Sequence, residues 1–117
     1  MRDHTKLRAF ELADTLALAV YARTKAFPRA EMFGLVSQLR RAAVSAASNI
    51  VEGCARNSES DYLRFLDMAY GSAREVQYQL SIARRIGYLS DSDYEEIELQ
   101  AAETCRVLNG LIRSIRH

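Results

Sequence analysis

Apolar residues return every three or four positions along most of this chain, the spacing that lines one side of an α-helix. From about Asp3 to Ala26, Phe10, Ala13, Leu16, Ala17, Val20 and Tyr21 cluster on one side and predict a first helix. Phe27-Pro28 ends it, because the residue before a proline is pushed out of the α region. The same proline suits the first turn of a second helix, predicted from about Arg29 to Ala55. In that helix Leu39, Ala42, Ala46, Ile50 and Gly53 form one seam. Val44, Ala47 and Val51 widen the apolar arc, and a helix apolar over more than half its circumference is usually buried on two sides. One side can be core. The other is a candidate subunit interface, where Ala and Ser allow close approach of a neighbour.

A third helix follows Asn57-Ser58, where Ser58 and Asp61 resemble a capping box with Asp in place of Glu. Tyr62, Leu66, Ala69, Ala73, Val76, Leu80 and Ala83 step alternately by four and three, with Phe65 beside them. Gly87 suits a left-handed C-cap. The fourth helix is predicted from Ser90–Ser92 to the last residue, on the stripe Ile97, Ala101, Thr104, Leu108, Leu111 and Ile115. No stretch reads as a strand. The expected fold class is all-α: one domain over residues 1–117, an up-down-up-down (antiparallel) four-helix bundle about 40 Å long.

The length of 117 residues suits a single domain, and 49% hydrophobic residues with 5 Gly and 1 Pro argue against disorder. No apolar run approaches the roughly 18 residues that cross a bilayer, and the opening Met1-Arg2-Asp3-His4 has no signal-peptide core. A cytoplasmic protein without a membrane partner is expected. Cys54 and Cys105 are too few and too distant for a zinc site or a disulfide scaffold, and read as small buried hydrophobes.

The formal charge is only +1, so bulk attraction to nucleic acid is not implied. Its distribution is uneven: residues 23–85 hold 10 basic and 6 acidic side chains, and residues 86–105 hold 6 acidic and none basic. Fourteen of the 16 cations are Arg, which suits phosphate forks and buried ion pairs but equally reflects codon usage in a GC-rich genome. The acidic run Asp91, Asp93, Glu95 and Glu96 opens the fourth helix and Arg106, Arg113 and Arg116 close it, complementing the helix dipole. An acidic recognition patch is the alternative reading.

Catalytic chemistry finds little material. A di-metal carboxylate centre in a bundle needs Glu-x-x-His pairs, but Ala55 stands three residues after Glu52 and Tyr78 three after Glu75. The only histidines, His4 and His117, lie near the two ends, which removes the common Ser-His and Cys-His arrangements. The five glycines are dispersed singly and form no phosphate loop. Neither an enzyme nor a cofactor or metal is expected.

One polar constellation remains. Gln38, Arg41, Ser45, Asn49, Glu52 and Arg56 lie along one face of the second helix, and Ser72, Glu75 and Gln79 flank the stripe of the third. One reading is a structural hydrogen-bond network in which Arg41 pairs with Glu75 or Glu52 and fixes helix register. The other is a polar groove for phosphate or RNA served by Arg41, Arg56 and Arg64. Repetition around a ring of subunits would enlarge its field.

The segments AFPRAEMFGL (Ala26–Leu35), QLRRAAVSAASNIVEG (Gln38–Gly53), FLDMAYGSAREVQYQL (Phe65–Leu80), IGYL (Ile86–Leu89) and LNGLI (Leu108–Ile112) carry a resemblance. Together, in this order, they resemble the four-helix bundle proteins of the ribosomal-RNA (23S rRNA) intervening-sequence family. Members are encoded in insertions within bacterial large-subunit rRNA genes and elsewhere in bacterial genomes. The pattern maps onto Phe27, Pro28, Glu31, Leu35, Gln38, Arg41, Ser45, Asn49, Glu52 and Gly53, and onto Phe65, Ala69, Gly71, Ser72, Glu75, Leu80 and Leu108. Many relatives have a proline between the Ser45 and Asn49 positions, and Ala46, Ala47 and Ser48 here imply a straighter second helix.

The resemblance implies a four-helix bundle assembled as a homopentameric, ring-like oligomer, in a family whose activity is poorly defined. A more distant similar bundle serves retroelement reverse transcriptases as a nucleic-acid-binding accessory factor. The expected function is a non-enzymatic oligomeric protein that binds structured RNA, with Arg40, Arg41, Arg56, Arg64, Arg84 and Arg85 as candidate phosphate contacts. The alternative is a protein-interaction scaffold that recruits a nucleic-acid enzyme.

Overall fold

The computed structural model describes residues 2–116. Four α-helices carry the fold: α1 (Arg8–Thr24), α2 (Leu35–Cys54), α3 (Glu59–Arg85) and α4 (Asp91–Ile115). No described residue lies in a strand. Helices α1 and α3 each pack on both α2 and α4, closing a bundle of 43 × 24 × 20 Å. None of its helices is long and apolar enough to cross a membrane.

The ends of α3 and α4 follow local chemistry. Ser58 Oγ accepts the Asp61 N–H at 3.1 Å and Ser90 Oγ accepts the Asp93 N–H at 3.0 Å, so each helix starts on a serine cap. Gly87 takes φ +88°, and the N–H groups of Gly87 and Tyr88 donate to the carbonyls of Arg84 and Ala83. That is the Schellman closure expected of a glycine one residue past the cap.

Two helix starts differ from the expected ones. The first helix begins at Arg8, not near Asp3, because Asp3 caps a 3-10 turn (His4–Lys6) and Leu7 is extended. The second begins at Leu35, not Arg29. After Pro28 the chain makes a 3-10 turn over Arg29–Glu31, then leaves helical geometry at Gly34 (φ −110°, ψ −114°). A Glu31 carboxylate oxygen accepts the Leu35 N–H at 3.2 Å and supplies the cap that residue 34, lacking a side chain, cannot. Helix α2 then runs unbroken through Ala46, Ala47 and Ser48.

The predicted stripe of α3 is buried throughout, from Tyr62 to Ala83, and so is the seam of α2. Among the described residues three apolar clusters result, one around Leu16, Leu39, Leu80 and Ile97, one around Ile50, Tyr62, Leu66 and Leu108, and a small one of Ala46, Ala73 and Cys105. At Gly53 α2 approaches α3 closely: a Cβ there would lie 3.0 Å from Phe65 Cβ and 3.3 Å from the Tyr62 carbonyl oxygen. The edges of the other stripes shift. In α1 the buried set is Ala9, Ala13, Leu16, Ala17, Val20 and Thr24, while Phe10 is half-buried and Tyr21 exposed. In α4 Ile112 is buried, with Leu111 and Ile115 half-buried beside it.

Both cysteines are buried, and burial pushes the Cys105 thiol up to about 11, so it stays protonated and packs as a small side chain. The acidic opening of α4 does more than complement a dipole. Arg23 of α1 donates to Asp93 (3.0 Å) and Glu96 (2.7 Å), and Arg84 of α3 donates to Asp91 (3.0 Å). Arg8 reaches Glu103 at 2.6 Å and Arg116 reaches Asp67 at 2.7 Å.

Candidate nucleic-acid interface

The face shared by α2 and α3 carries an open cleft of about 670 Å³. Gln38, Arg41 and Ser45 line it from α2, Ser72 and Glu75 from α3, and Arg40 and Tyr21 close one end. The floor is a hydroxyl pair, Ser45 Oγ and Ser72 Oγ, 3.0 Å apart. Asn49 is buried one turn below and donates its amide hydrogens to the Ser45 carbonyl (2.9 Å) and Ser45 Oγ (3.0 Å), which holds the Ser45 side chain in place. Gln79 is also buried; its Nε2 donates to Glu75 Oε2 at 3.1 Å. Its Oε1 meets no hydrogen-bond donor among the described residues.

The constellation read from sequence is therefore partly assembled. Gln38, Arg41, Ser45, Ser72 and Glu75 converge on the cleft, with Asn49 and Gln79 supporting them from beneath. Glu52 and Arg56 are exposed and lie outside it. The expected pairing of Arg41 with Glu75 or Glu52 does not form. Arg41 is exposed, and no carboxylate of the described residues comes within 4.0 Å of its guanidinium. In place of an ion pair, the Ser45–Ser72 hydroxyl contact joins the two helices here, and Glu75 Oε2 accepts from Gln79 Nε2.

The neighbouring Arg40 is held differently. Its Nε–H donates to Thr24 Oγ1 at 2.9 Å, and its guanidinium carbon sits 4.5 Å from the centre of the Tyr21 ring. Thr24 in turn donates to the Val20 carbonyl at 2.8 Å, which fixes the acceptor. Sequence periodicity put Tyr21 on the core side of α1; the fold instead makes it the bed of Arg40. No spacing rule within one helix reveals a partner sixteen or more residues away on another.

The six candidate arginines do not form one patch. Arg40 and Arg41 stand at the cleft. Arg56 and Arg64 flank the α2–α3 connection and share the ring of Phe65, at 4.5 and 4.6 Å from its centre. Arg84 and Arg85 close α3, roughly 30 Å from Arg64 at about 1.5 Å per residue. Arg84 is engaged by Asp91 and Arg85 donates to the Ser81 carbonyl at 3.2 Å. Among the described residues no three His, Cys, Asp or Glu side chains gather as a metal site.

A family model described as 23S rRNA-intervening sequence protein matches residues 5–110. The chain belongs to this family. The 23S rRNA-intervening sequence model covers every cleft residue and reaches into the last turns of α4. No curated protein matches the chain. Among solved structures it is similar to a protein of unknown function from the S23 ribosomal protein family of Bacteroides thetaiotaomicron VPI-5482. The two share 24% identity with a TM-score of 0.81, over 90% of this chain and 95% of that one. At that identity the likeness is one of fold.

Two apolar features lie outside the cleft. A groove of about 320 Å³ runs between α1 and α2, lined by Phe10, Leu18, Tyr21, Val44, Ala47 and Val51 together with Asp14 and Ser48. Leu18 in it is 68% exposed. Phe33 is 92% exposed on the turn before α2. The groove lies on the second apolar side of α2 that sequence periodicity indicated, whereas nothing in the periodicity marks Phe33.

Proposed function

We propose that this 23S rRNA-intervening sequence family member is a non-enzymatic, cytoplasmic helical-bundle protein that associates with structured RNA as a ring-like homo-oligomer. What supports RNA association is the state of the arginines. Those facing acidic residues are engaged, whereas Arg41 stands exposed in a polar cleft beside Arg40 with no carboxylate of the described residues in reach. A guanidinium left with all its donors toward solvent suits a phosphate fork. The family description adds the RNA context.

An up-down-up-down order of helices accords with the ion pairs: Arg23 near the end of α1 meets the start of α4, while Arg8 at its beginning meets Glu103 farther along α4. Assembly into a ring, five-fold as the family resemblance implies, is supported by the α1–α2 groove, where Leu18 and Val44 are exposed apolar side chains. A repeated cleft would sum into a field that the net charge of +1 does not suggest.

The test is fluorescence anisotropy of a structured rRNA fragment with the purified oligomer across a salt series. Micromolar or tighter binding that weakens along a straight log–log salt line supports the reading, and the slope counts the phosphates neutralised. No binding at low salt overturns it. A protein-interaction scaffold is the second reading, favoured by Phe33 held in the open on an ordered turn.

A further inference from the structure

The α2–α3 cleft combines three groups that a single phosphate contact would not need. Glu75 presents a carboxylate whose Oε2 is oriented by the Gln79 amide and whose Oε1 has no described partner. Arg41 lines the cleft from α2, exposed and with no carboxylate of the described residues within 4.0 Å of its guanidinium. Arg40 presents a guanidinium fixed at two points, by Thr24 Oγ1 and by the Tyr21 ring. An acid and a base that face one cleft without closing on each other match a ligand that is anionic at one end and carries paired N–H donors at the other.

We propose that this cleft binds a guanine nucleotide. The Glu75 carboxylate accepts from N1–H and the exocyclic N2 amine, Arg41 takes the phosphate, and the base stacks toward the Arg40 guanidinium on its Tyr21 bed. Guanine alone among the four RNA bases has two adjacent N–H donors on its pairing edge. Adenine and cytosine would set a ring-nitrogen lone pair against the carboxylate, and uracil flanks its single N–H with two carbonyls. Splayed-out bases stacked on aromatic or guanidinium planes and read on their pairing edge are the usual mode of sequence-selective RNA recognition. A cleft of about 670 Å³ is also of a size that holds small molecules. The inference rests on the RNA reading above for the source of the nucleotide, an unpaired guanosine in RNA or a free nucleotide, and on the cleft for its chemistry.

The experiment has two arms on the intact chain. In the first, GMP, IMP and AMP are titrated separately and followed by amide NMR shifts of residues 38–45 and 72–79. GMP is expected to move these amides, IMP to bind several-fold more weakly for want of the N2 amine, and AMP to leave them still. Glu75→Gln should weaken GMP by about ten-fold or more, the scale of one good bidentate base contact. GMP and AMP behaving alike, or Glu75→Gln binding GMP as the wild type does, overturns the proposal whatever RNA does. In the second arm, RNA hairpins with one unpaired G or A are compared by anisotropy. Preference for G supports the RNA source; GMP selectivity without RNA binding supports the cleft chemistry and overturns the RNA reading alone.

Discussion

Tyr88 donates its hydroxyl hydrogen to a carboxylate oxygen of Glu31 at 2.7 Å, across 57 residues of sequence. The other carboxylate oxygen of Glu31 accepts the Leu35 N–H, so one side chain starts α2 and ties its entry turn to the α3–α4 connection. The Phe27 ring lies 5.5 Å from that of Tyr88 and seals the same end of the bundle.

This relationship predicts a pH dependence. The Tyr88 hydroxyl, and after it the Leu35 N–H, hold the Glu31 carboxyl below the usual glutamate range. A lowered folded value means that the unfolded chain binds the proton first, so the contribution is complete above about pH 4.3 and fades as pH falls through the lowered value. Urea denaturation should find wild type more stable than Glu31→Gln at neutral pH, with the gap closing in acid. A gap independent of pH would show that the ionised carboxylate contributes nothing.

Two glycines should respond oppositely to alanine. At Gly53 the added Cβ meets the Phe65 Cβ and the Tyr62 backbone, and Gly53→Ala should cost about 1–3 kcal/mol as α2 and α3 are forced apart. At Gly71, inside α3, the added Cβ meets nothing within 4 Å, and Gly71→Ala should stabilise by about 0.5–1 kcal/mol. Denaturation midpoints of the two variants measure both.

Arg41→Ala separates structure from binding. With no described carboxylate partner to lose, it should change stability by less than about 0.5 kcal/mol. Its RNA affinity should fall, with the salt slope smaller by about one per phosphate contact removed. A large stability loss with unchanged affinity would return Arg41 to a structural role.

Leu18→Asp tests assembly. Leu18 is largely exposed in the α1–α2 groove, so the fold should be retained, with circular dichroism unchanged. On the proposed assembly, light scattering should find the wild type as a multiple of the 13.2 kDa chain and the variant as a single chain; a wild type of 13.2 kDa overturns the assembly. An unaltered oligomer would exclude this groove as the subunit contact.

What periodicity and local hydrogen bonding control was legible along the chain. The stripe from Tyr62 to Ala83, the serine cap at Ser58 and the left-handed Gly87 depend on residues within a few positions of one another, and each stands where local rules put it; the start expected between Ser90 and Ser92 resolves to a cap on Ser90. The convergence of Gln38, Arg41, Ser45, Ser72 and Glu75 was half legible, because helical spacing assigns each to a face. Which faces meet, at what axial offset, is a property of two helices together. That offset brought Ser45 to Ser72, where the two hydroxyls meet at 3.0 Å. The Tyr21 contact with Arg40 joins α1 to α2, and the Glu31 contact with Tyr88 joins the entry turn of α2 to the α3–α4 connection; neither follows from spacing within one helix. Contacts three and four residues apart made the four amphipathic helices, the Ser58 cap and the Gly87 stop readable along the chain, though not the starts of α1 and α2. Which charges pair was set by how the helices pack, because a difference of a few ångströms between helices makes or breaks an ion pair.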